Sequence, residues 1–389
     1  MKRLIPLALI APLAVAACGS STKSSTSSPT TTPAPAATSA GGSSTTTGGS
    51  SSGGSANLNL GNPTSAVTLN EAGSTLIYPF LQELVTPLQA QYSNVHLVPG
   101  PGGSGKGISD AIAGTTQLGG SDAYLSPTQL SSNPDLMNIP IAISSQAVNY
   151  NVKGVSNLKL TGDVIAQIYQ GKITKWNDPA IAKLNPGVTL PAQNIVPVRR
   201  VDASGDTFIF TSFLSATNSA WNNGPAFGTT VTWPAVSSEL TANGNPGMVQ
   251  TCSATPGCIA YIGISSEAAA KTAGLGEAQL QNKAGNYVQP DQTTVESAVS
   301  AGAGNVPANL AAPLIYEPGA QSYPIVNFEY LVVKAKQSSA DVARALRDFF
   351  AFAISPTGGS TPQYLAKEQF VGLPSNVVPL VDAAIAKIQ

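Results

Sequence analysis

Between Gly19 and Asn57 the chain contains no Leu, Ile, Val, Met, Phe, Tyr or Trp. A segment built of Ser, Thr, Gly, Ala and Pro with a single Lys cannot bury enough apolar area to offset its ordering entropy, so no core element is expected there. Whatever folds must be drawn from residues 58–389, enough for two lobes of ordinary size. Residues 19–57 are instead expected to be a disordered tether with an r.m.s. span of roughly 35 Å.

The residues before the tether suggest where it is fixed. Lys2 and Arg3 precede an apolar run, Leu4 to Ala14, that Pro6 and Pro12 interrupt. The run is too short to span a bilayer and fits a cleavable signal segment over residues 1–17. Val15-Ala16-Ala17-Cys18 matches the bacterial lipobox, so Cys18 is the expected lipidation site. The alternative is a plain signal segment with a chance Cys. Two acyl chains, at roughly 0.8 kcal/mol per buried CH₂, would hold the chain durably on the outer face of the cytoplasmic membrane.

Charged residues are only 10% of the chain and the net charge is −1. A nucleic-acid binder would show a basic excess, so that class is excluded. Anion capture by bulk positive charge is excluded as well; a few placed groups would have to do it. With Cys18 assigned, Cys252 and Cys258 remain. Pro256-Gly257 between them favours a turn, and outside the cytoplasm a disulfide is expected. A metal pair is the alternative, but its further ligands are missing, since His96 is the only histidine.

Along the folded part, 67–69 and 95–98 read as strands and 76–92 as a helix with Phe80, Leu81, Leu84, Val85 and Leu88 on one face. A Gly-rich loop, 100–107, leads into helical spacing at Ile108, Ala111 and Ile112, and 118–125 returns to extended structure. Helical signals recur at 162–170, 206–215 and 338–353, and 325–333 reads as a strand. The alternation predicts an α/β fold with mostly parallel strands.

Three Gly- or Ser-containing turns each run into a predicted helix. They are Ala72-Gly73-Ser74-Thr75, Gly102-Gly103-Ser104-Gly105-Lys106-Gly107 and Asp202-Ala203-Ser204-Gly205-Asp206. Helix N-termini present unpaired N–H groups and the positive end of the dipole, and small residues let an oxyanion approach. Taken singly, each is as readily an ordinary N-cap. The middle turn resembles a phosphate-binding Walker loop, but Gly107 stands where Ser or Thr would hold Mg²⁺, and an exported protein has no ATP supply. Lys106 then reads as a solvated side chain. A serine hydrolase lacks its base, because His96 sits in an apolar strand pattern as a core or edge residue. Asp122 follows Gly119-Gly120-Ser121. It is either a turn residue or an acceptor for a ligand that carries a proton; such an acceptor takes phosphate and repels sulfate. Arg200 can supply a bidentate guanidinium.

Residues 168–179, Ile-Tyr-Gln-Gly-Lys-Ile-Thr-Lys-Trp-Asn-Asp-Pro, followed by Leu184-Asn185-Pro186-Gly187, resemble the periplasmic phosphate-binding proteins of ABC transporters. Val198-Arg199-Arg200 leading into Asp202-Ala203-Ser204-Gly205 does so too, and the resemblance runs from about residue 67 to the C-terminus. It implies a two-lobed α/β periplasmic binding protein fold with the ligand between the lobes. Lobe I would be 58–148 plus 325–389 and lobe II 149–324, with hinge crossings near Asn149 and Pro324. It implies capture of inorganic phosphate for ABC permease subunits, no catalysis and no cofactor, and a monomer that meets the membrane through its lipid alone. Sulfate or arsenate as the ligand, or a secreted phosphohydrolase, are the alternatives.

Carried over residue by residue, the resemblance places phosphate on Thr75, the backbone of Leu76, Ser104, Asp122, Arg200, Ser204, Gly205 and Asp206. Asp202 would hold Arg200. Asp122 would accept the phosphate proton. Members of the family differ at the position of Asp206, some having Thr and others the Ser-Gly-Asp-Thr found here. Asp206 is expected either to accept a second phosphate proton or to lie in the first helical turn outside the site.

Overall fold

The computed structural model describes residues 58–389; the signal segment, Cys18 and the tether lie outside the described residues. In chain order the strands are β1 (Val67–Gly73), β2 (Val95–Val98), β3 (Leu118–Ser121), β4 (Leu136–Tyr150), β5 (Lys159–Leu160), β6 (Val196–Arg200) and β7 (Leu240–Ala242). They continue as β8 (Cys258–Gly263), β9 (Gly276–Glu277), β10 (Gln279–Gln281), β11 (Tyr287–Val288), β12 (Leu314–Ile315) and β13 (Ile325–Lys334). The main sheet runs β2-β1-β3-β13-β4-β8-β6-β7, with β12 on β13 and β9 on β4; β11-β10-β5 form a small separate sheet.

β4 belongs to both halves of the main sheet. Leu136 to Ser145 pair antiparallel with β13, and Gln146 to Tyr150 pair antiparallel with β8. The first half carries parallel β1, β2 and β3, and the second carries parallel β8, β6 and β7. The sheet is therefore mixed rather than mostly parallel, because β4 and β13 run against their neighbours.

The apolar patterns explain the helices. In Tyr78–Gln91 the residues Phe80, Leu81, Leu84 and Leu88 are buried, and Pro79 sits at the start, where a missing N–H costs nothing. In Ala340–Ile354, Leu346, Phe349, Phe350 and Ala353 are buried, and Ser339 Oγ caps the first turn by accepting from Val342 N at 3.2 Å. Each buried Leu or Phe among them contributes about 1.5–3 kcal/mol. Tyr169 and Trp176 are buried structural residues: the Tyr169 hydroxyl donates to Val198 O (3.1 Å) and Ile259 O (3.3 Å), and Trp176 Nε1 donates to Gly257 O (3.0 Å). They fasten the 162–176 segment to β6 and β8. Cys252 and Cys258 are disulfide-bonded, with Cα atoms 5.3 Å apart. His96 lies on edge strand β2, its Nδ1 3.1 Å from Gln89 Nε2, and exposed Lys106 pairs with Asp110. Among the described residues no helix is long and apolar enough to cross a membrane.

Candidate functional site

The parallel strands end in loops that meet one another. Gly73 N donates to Gly100 O (3.0 Å), Gly102 N and Gly103 N donate to Gly73 O (2.8 and 2.7 Å), and Ser74 N donates to Gly120 O (2.9 Å). These bonds stitch the ends of β1, β2 and β3 together. Gly73 has φ 154°, and a Cβ on it would overlap the Gly120 carbonyl, so only glycine fits. Glu71 lies beneath, its Oε1 accepting from Gly120 N (3.1 Å) and its Oε2 from Gly100 N (3.2 Å).

Ser74, Ser104 and Asp122 form the floor contributed by the first half. Ser74 Oγ donates to Asp122 Oδ1 and accepts from the N–H groups of Leu76 (2.9 Å) and Ile77 (3.3 Å). Ser104 opens the helix Ser104–Ala113; its Oγ accepts from Asp122 N (3.2 Å) and donates to Asp122 Oδ2 (3.3 Å). All three side chains are buried. Thr75 points instead at the second half, where its Oγ1 accepts from Asn245 N (3.1 Å) and Asn245 Nδ2 (3.3 Å).

The second half supplies the cation. Arg200 ends β6 with its side chain 1% exposed. Nε donates to Asp202 Oδ1 (2.8 Å), Nη2 to Asp202 Oδ2 and Nη1 to Asp206 Oδ2 (2.6 Å). Ser204 caps the helix Gly205–Thr217, its Oγ accepting from Thr207 N at 3.3 Å. Gly205 follows, and a Cβ on it would overlap Asp122 Oδ2 and Ser104 Oγ. That overlap measures how tightly the two halves close. Gly105 N donates to Ala203 O (2.9 Å) and Ser265 Oγ to Leu76 O (2.8 Å) across the same cleft.

Asp206 sits in the first turn of its helix and also inside the site. Its carboxylate accepts from Arg200, from Asn245 Nδ2 on Oδ2 (2.9 Å) and from Gln146 Nε2 on Oδ1 (3.0 Å). A carboxylate has about four acceptor positions, so these donors leave one on Oδ1.

Electrostatics divide the acids. Burial alone would raise Asp202, but the bonds and charge of Arg200 outweigh it and hold the carboxyl below its ordinary value. Burial would also lower Arg200, but Asp202 and Asp206 outweigh it and fix the cation. Burial pushes Asp206 up, with Arg200, Gln146 and Asn245 opposing. Burial, then the charge of Asp206, pushes Asp122 up to about 7, with Glu329, Ser74 and Arg200 opposing. Glu71 is pushed to about 8 by burial against its two backbone bonds. One guanidinium thus faces several carboxyl groups among buried side chains. A ligand with no proton to donate meets repulsion there, and one that offers a P–O–H meets a ready acceptor.

Every residue assigned to the site from sequence lies at this cleft, with Leu76 buried behind Thr75 and its N–H taken up by Ser74. Ser74, Gln146, Asn245, Ser144 and Glu329 were not assigned. Ser74 stood in the first Gly-Ser turn, and Glu329 stood alone as a carboxylate in an otherwise apolar strand. The amides Gln146 and Asn245 left no such signal.

A family model described as a PBP superfamily domain matches residues 29–357. The chain is 33% identical over 336 residues to the phosphate-binding protein PstS of Methanocaldococcus jannaschii, covering 81% of this chain and 85% of that one. It is 34% identical over 301 residues to the phosphate-binding protein PstS 3 of Mycobacterium leprae, covering 75% and 79%. Among solved structures, a high-affinity periplasmic phosphate-binding protein, PfluDING, bound with phosphate at pH 8.5, superposes with a TM-score of 0.65 at 23% identity, over 82% of this chain and 93% of that one. A human phosphate-binding apolipoprotein superposes with a TM-score of 0.61 at 22% identity, over 82% and 93%.

Proposed function

The chain belongs to the PBP superfamily, and from that premise we propose that it captures inorganic phosphate outside the cytoplasmic membrane and delivers it to the permease of an ABC importer. One observation carries the choice of ligand: Asp122, buried and gripped by Ser74 and Ser104, faces the helix that begins at Gly205, with Arg200 clamped beside it. Phosphate near neutral pH has both the negative charge for Arg200 and the proton for Asp122. Thr75, Ser104, Ser204 and the Gly205 N–H complete the shell, the Leu76 N–H would have to leave Ser74 Oγ to join them, and Asp202 holds the guanidinium. The open position on Asp206 Oδ1 is where a second phosphate proton would go, which favours H₂PO₄⁻ over HPO₄²⁻.

Lobe I takes residues 58–148 and 325–389 and lobe II takes 149–324. The lobes close on the ligand and present the closed face to the permease. No reaction is catalysed and no cofactor is needed. Residues 1–17 direct export, Cys18 carries the lipid, and the tether lets a monomer work near the membrane. The names of the relatives support capture of phosphate.

Calorimetric titration of the protein with phosphate, with sulfate as competitor, tests the reading. Asp122→Asn should weaken phosphate by roughly tenfold to a hundredfold, as expected for a lost bond to a charged group, and should let sulfate compete. Sulfate competing equally in the wild type would sink the choice of phosphate. The same titration at pH 6 and pH 8 should show weaker binding at the higher pH; equal affinities would remove the second proton from Asp206.

A further inference from the structure

Behind Asp122 lies a second carboxyl group for which the capture step has no use. β13 runs antiparallel to β3 with Tyr330 opposite Ser121, which sets Glu329 against Asp122. At that point the pairing of β13 with β4 slips. Glu329 faces Ala142 and Tyr330 faces Pro140, so Ile141 is an extra residue. A bulge of this kind re-aims side chains beside a site.

Glu329 is fully buried. Its Oε1 accepts from Ser144 Oγ at 2.5 Å, and its Oε2 has no hydroxyl or N–H partner. The register brings its carboxyl beside that of Asp122, and each acid acts on the ionisation of the other. Two buried acids side by side cannot both stay ionised; one must carry a proton, and a protonated carboxyl is a donor.

The surroundings say which. Asp122 accepts from Ser74 and Ser104, feels Arg200, and has its carbonyl bound by Asn327 Nδ2 at 2.5 Å. The charged groups acting on Glu329 are Asp122 at the end of β3 and Asp206 on the Gly205 helix, both acids. Burial, reinforced by those acids, drives Glu329 well above the usual carboxylate range, while Asp122 stays near neutrality. Asp122 therefore ionises first.

We propose that Glu329 is a specificity-determining positioning residue: it remains a neutral acid, donates a hydrogen bond to Asp122, and so keeps Asp122 an acceptor that takes P–O–H and refuses a fully deprotonated oxyanion. This rests on the phosphate reading above. The β4 bulge and Ser144 fix the direction of the donated bond. Glu329 touches no ligand and acts only through Asp122.

The test compares full-length wild type with Glu329→Gln and Glu329→Leu. Gln keeps an N–H donor of the same reach, so phosphate affinity should stay within about threefold of wild type and sulfate should still be refused. Leu removes the donor; Asp122 then takes up a proton and becomes a donor itself. Phosphate should weaken about tenfold or more, and sulfate should begin to compete. Infrared difference spectra at pH 7 without phosphate, wild type minus Glu329→Gln, should show the loss of one carboxylic-acid C=O component, the protonated Glu71 being common to both. No difference in that band overturns the proposal. So does Glu329→Gln tightening phosphate and sulfate alike, since that would mean Glu329 was the anion. If Glu329→Leu fails to fold, the Gln variant and the infrared band still decide. Wild type that shows the band but binds no phosphate would sink the capture reading instead, and the specificity role with it.

Discussion

Gly205 is one of the residues at which the two halves touch closely. It has no positive φ to explain its choice; what excludes any side chain is the room taken by Asp122 and Ser104. Gly205→Ala should therefore leave the helix intact, since Ala is a better helix former, while holding the cleft apart. Phosphate affinity should fall roughly a hundredfold, the equivalent of two lost charge-assisted bonds, with a melting temperature within a few degrees of wild type. Calorimetry paired with thermal denaturation checks both halves of that statement. A variant that binds normally would mean the contact is not needed for capture. Asp206 has more partners than its place in a Ser-Gly-Asp-Thr string suggested. Arg200, Gln146 and Asn245 all converge on it, and it organises the donors around the cation.

Helix caps separate stability from binding. Ser339 and Ser204 cap their helices in the same way, accepting from Val342 N and Thr207 N. Only Ser204 lies at the cleft. Ser339→Ala should cost about 1 kcal/mol of stability and leave phosphate binding unchanged. Ser204→Ala should cost a similar amount and also weaken binding about tenfold. Urea denaturation and calorimetry on the two variants give the comparison, and equal binding by both would remove Ser204 from the site. The contrast also shows what a sequence discloses. Elements with a clean period, such as 78–91, 95–98 and 340–354, were legible because their apolar spacing is set locally. β4, the longest strand, was not: Pro140 argues against a central strand, and Ser144-Ser145-Gln146 break its apolar run. Ser144 and Gln146 are there because they bond Glu329 and Asp206. The three turns stood out because each sets Gly and Ser before a helix; taken singly each is as readily an N-cap, and it is their meeting at one cleft that only the fold shows. Asn245 and Gln146 were not, because their value comes only from what the fold brings opposite them.

Over the whole molecule, the buried acids make stability depend on pH. Glu71 titrates near 8 in the folded chain, against 4.5 as its ordinary value, because it is buried beneath the loops at Gly100 and Gly120. Between those values the folded state holds a proton that the unfolded state releases. Stability from this group is therefore full below about pH 4.5 and is lost as pH rises toward 8, at up to about 1.4 kcal/mol per pH unit. Asp122 and Glu329 act in the same direction; Asp202, with its lowered value, acts the opposite way but only at acid pH. The phosphate-free protein should melt at a lower temperature at pH 8 than at pH 5.5, and Glu71→Gln should flatten the difference. A melting temperature that rises over that range would show that Glu71 is ionised throughout. β4 has a further consequence, since it is one strand serving two sheet halves. A joint of that kind is a torsion bar. Rotation about it sweeps the mouth of the cleft through a long arc and moves residues on the axis hardly at all. Under the lobe closure proposed above, Gln146, the first residue past the change of partners, would sit on the axis and keep its bond to Asp206, while the bond of Asn245 to Thr75 would break. Such an opening would leave the Arg200 cradle assembled, so that the next anion would dock on a finished half-socket instead of having to build one.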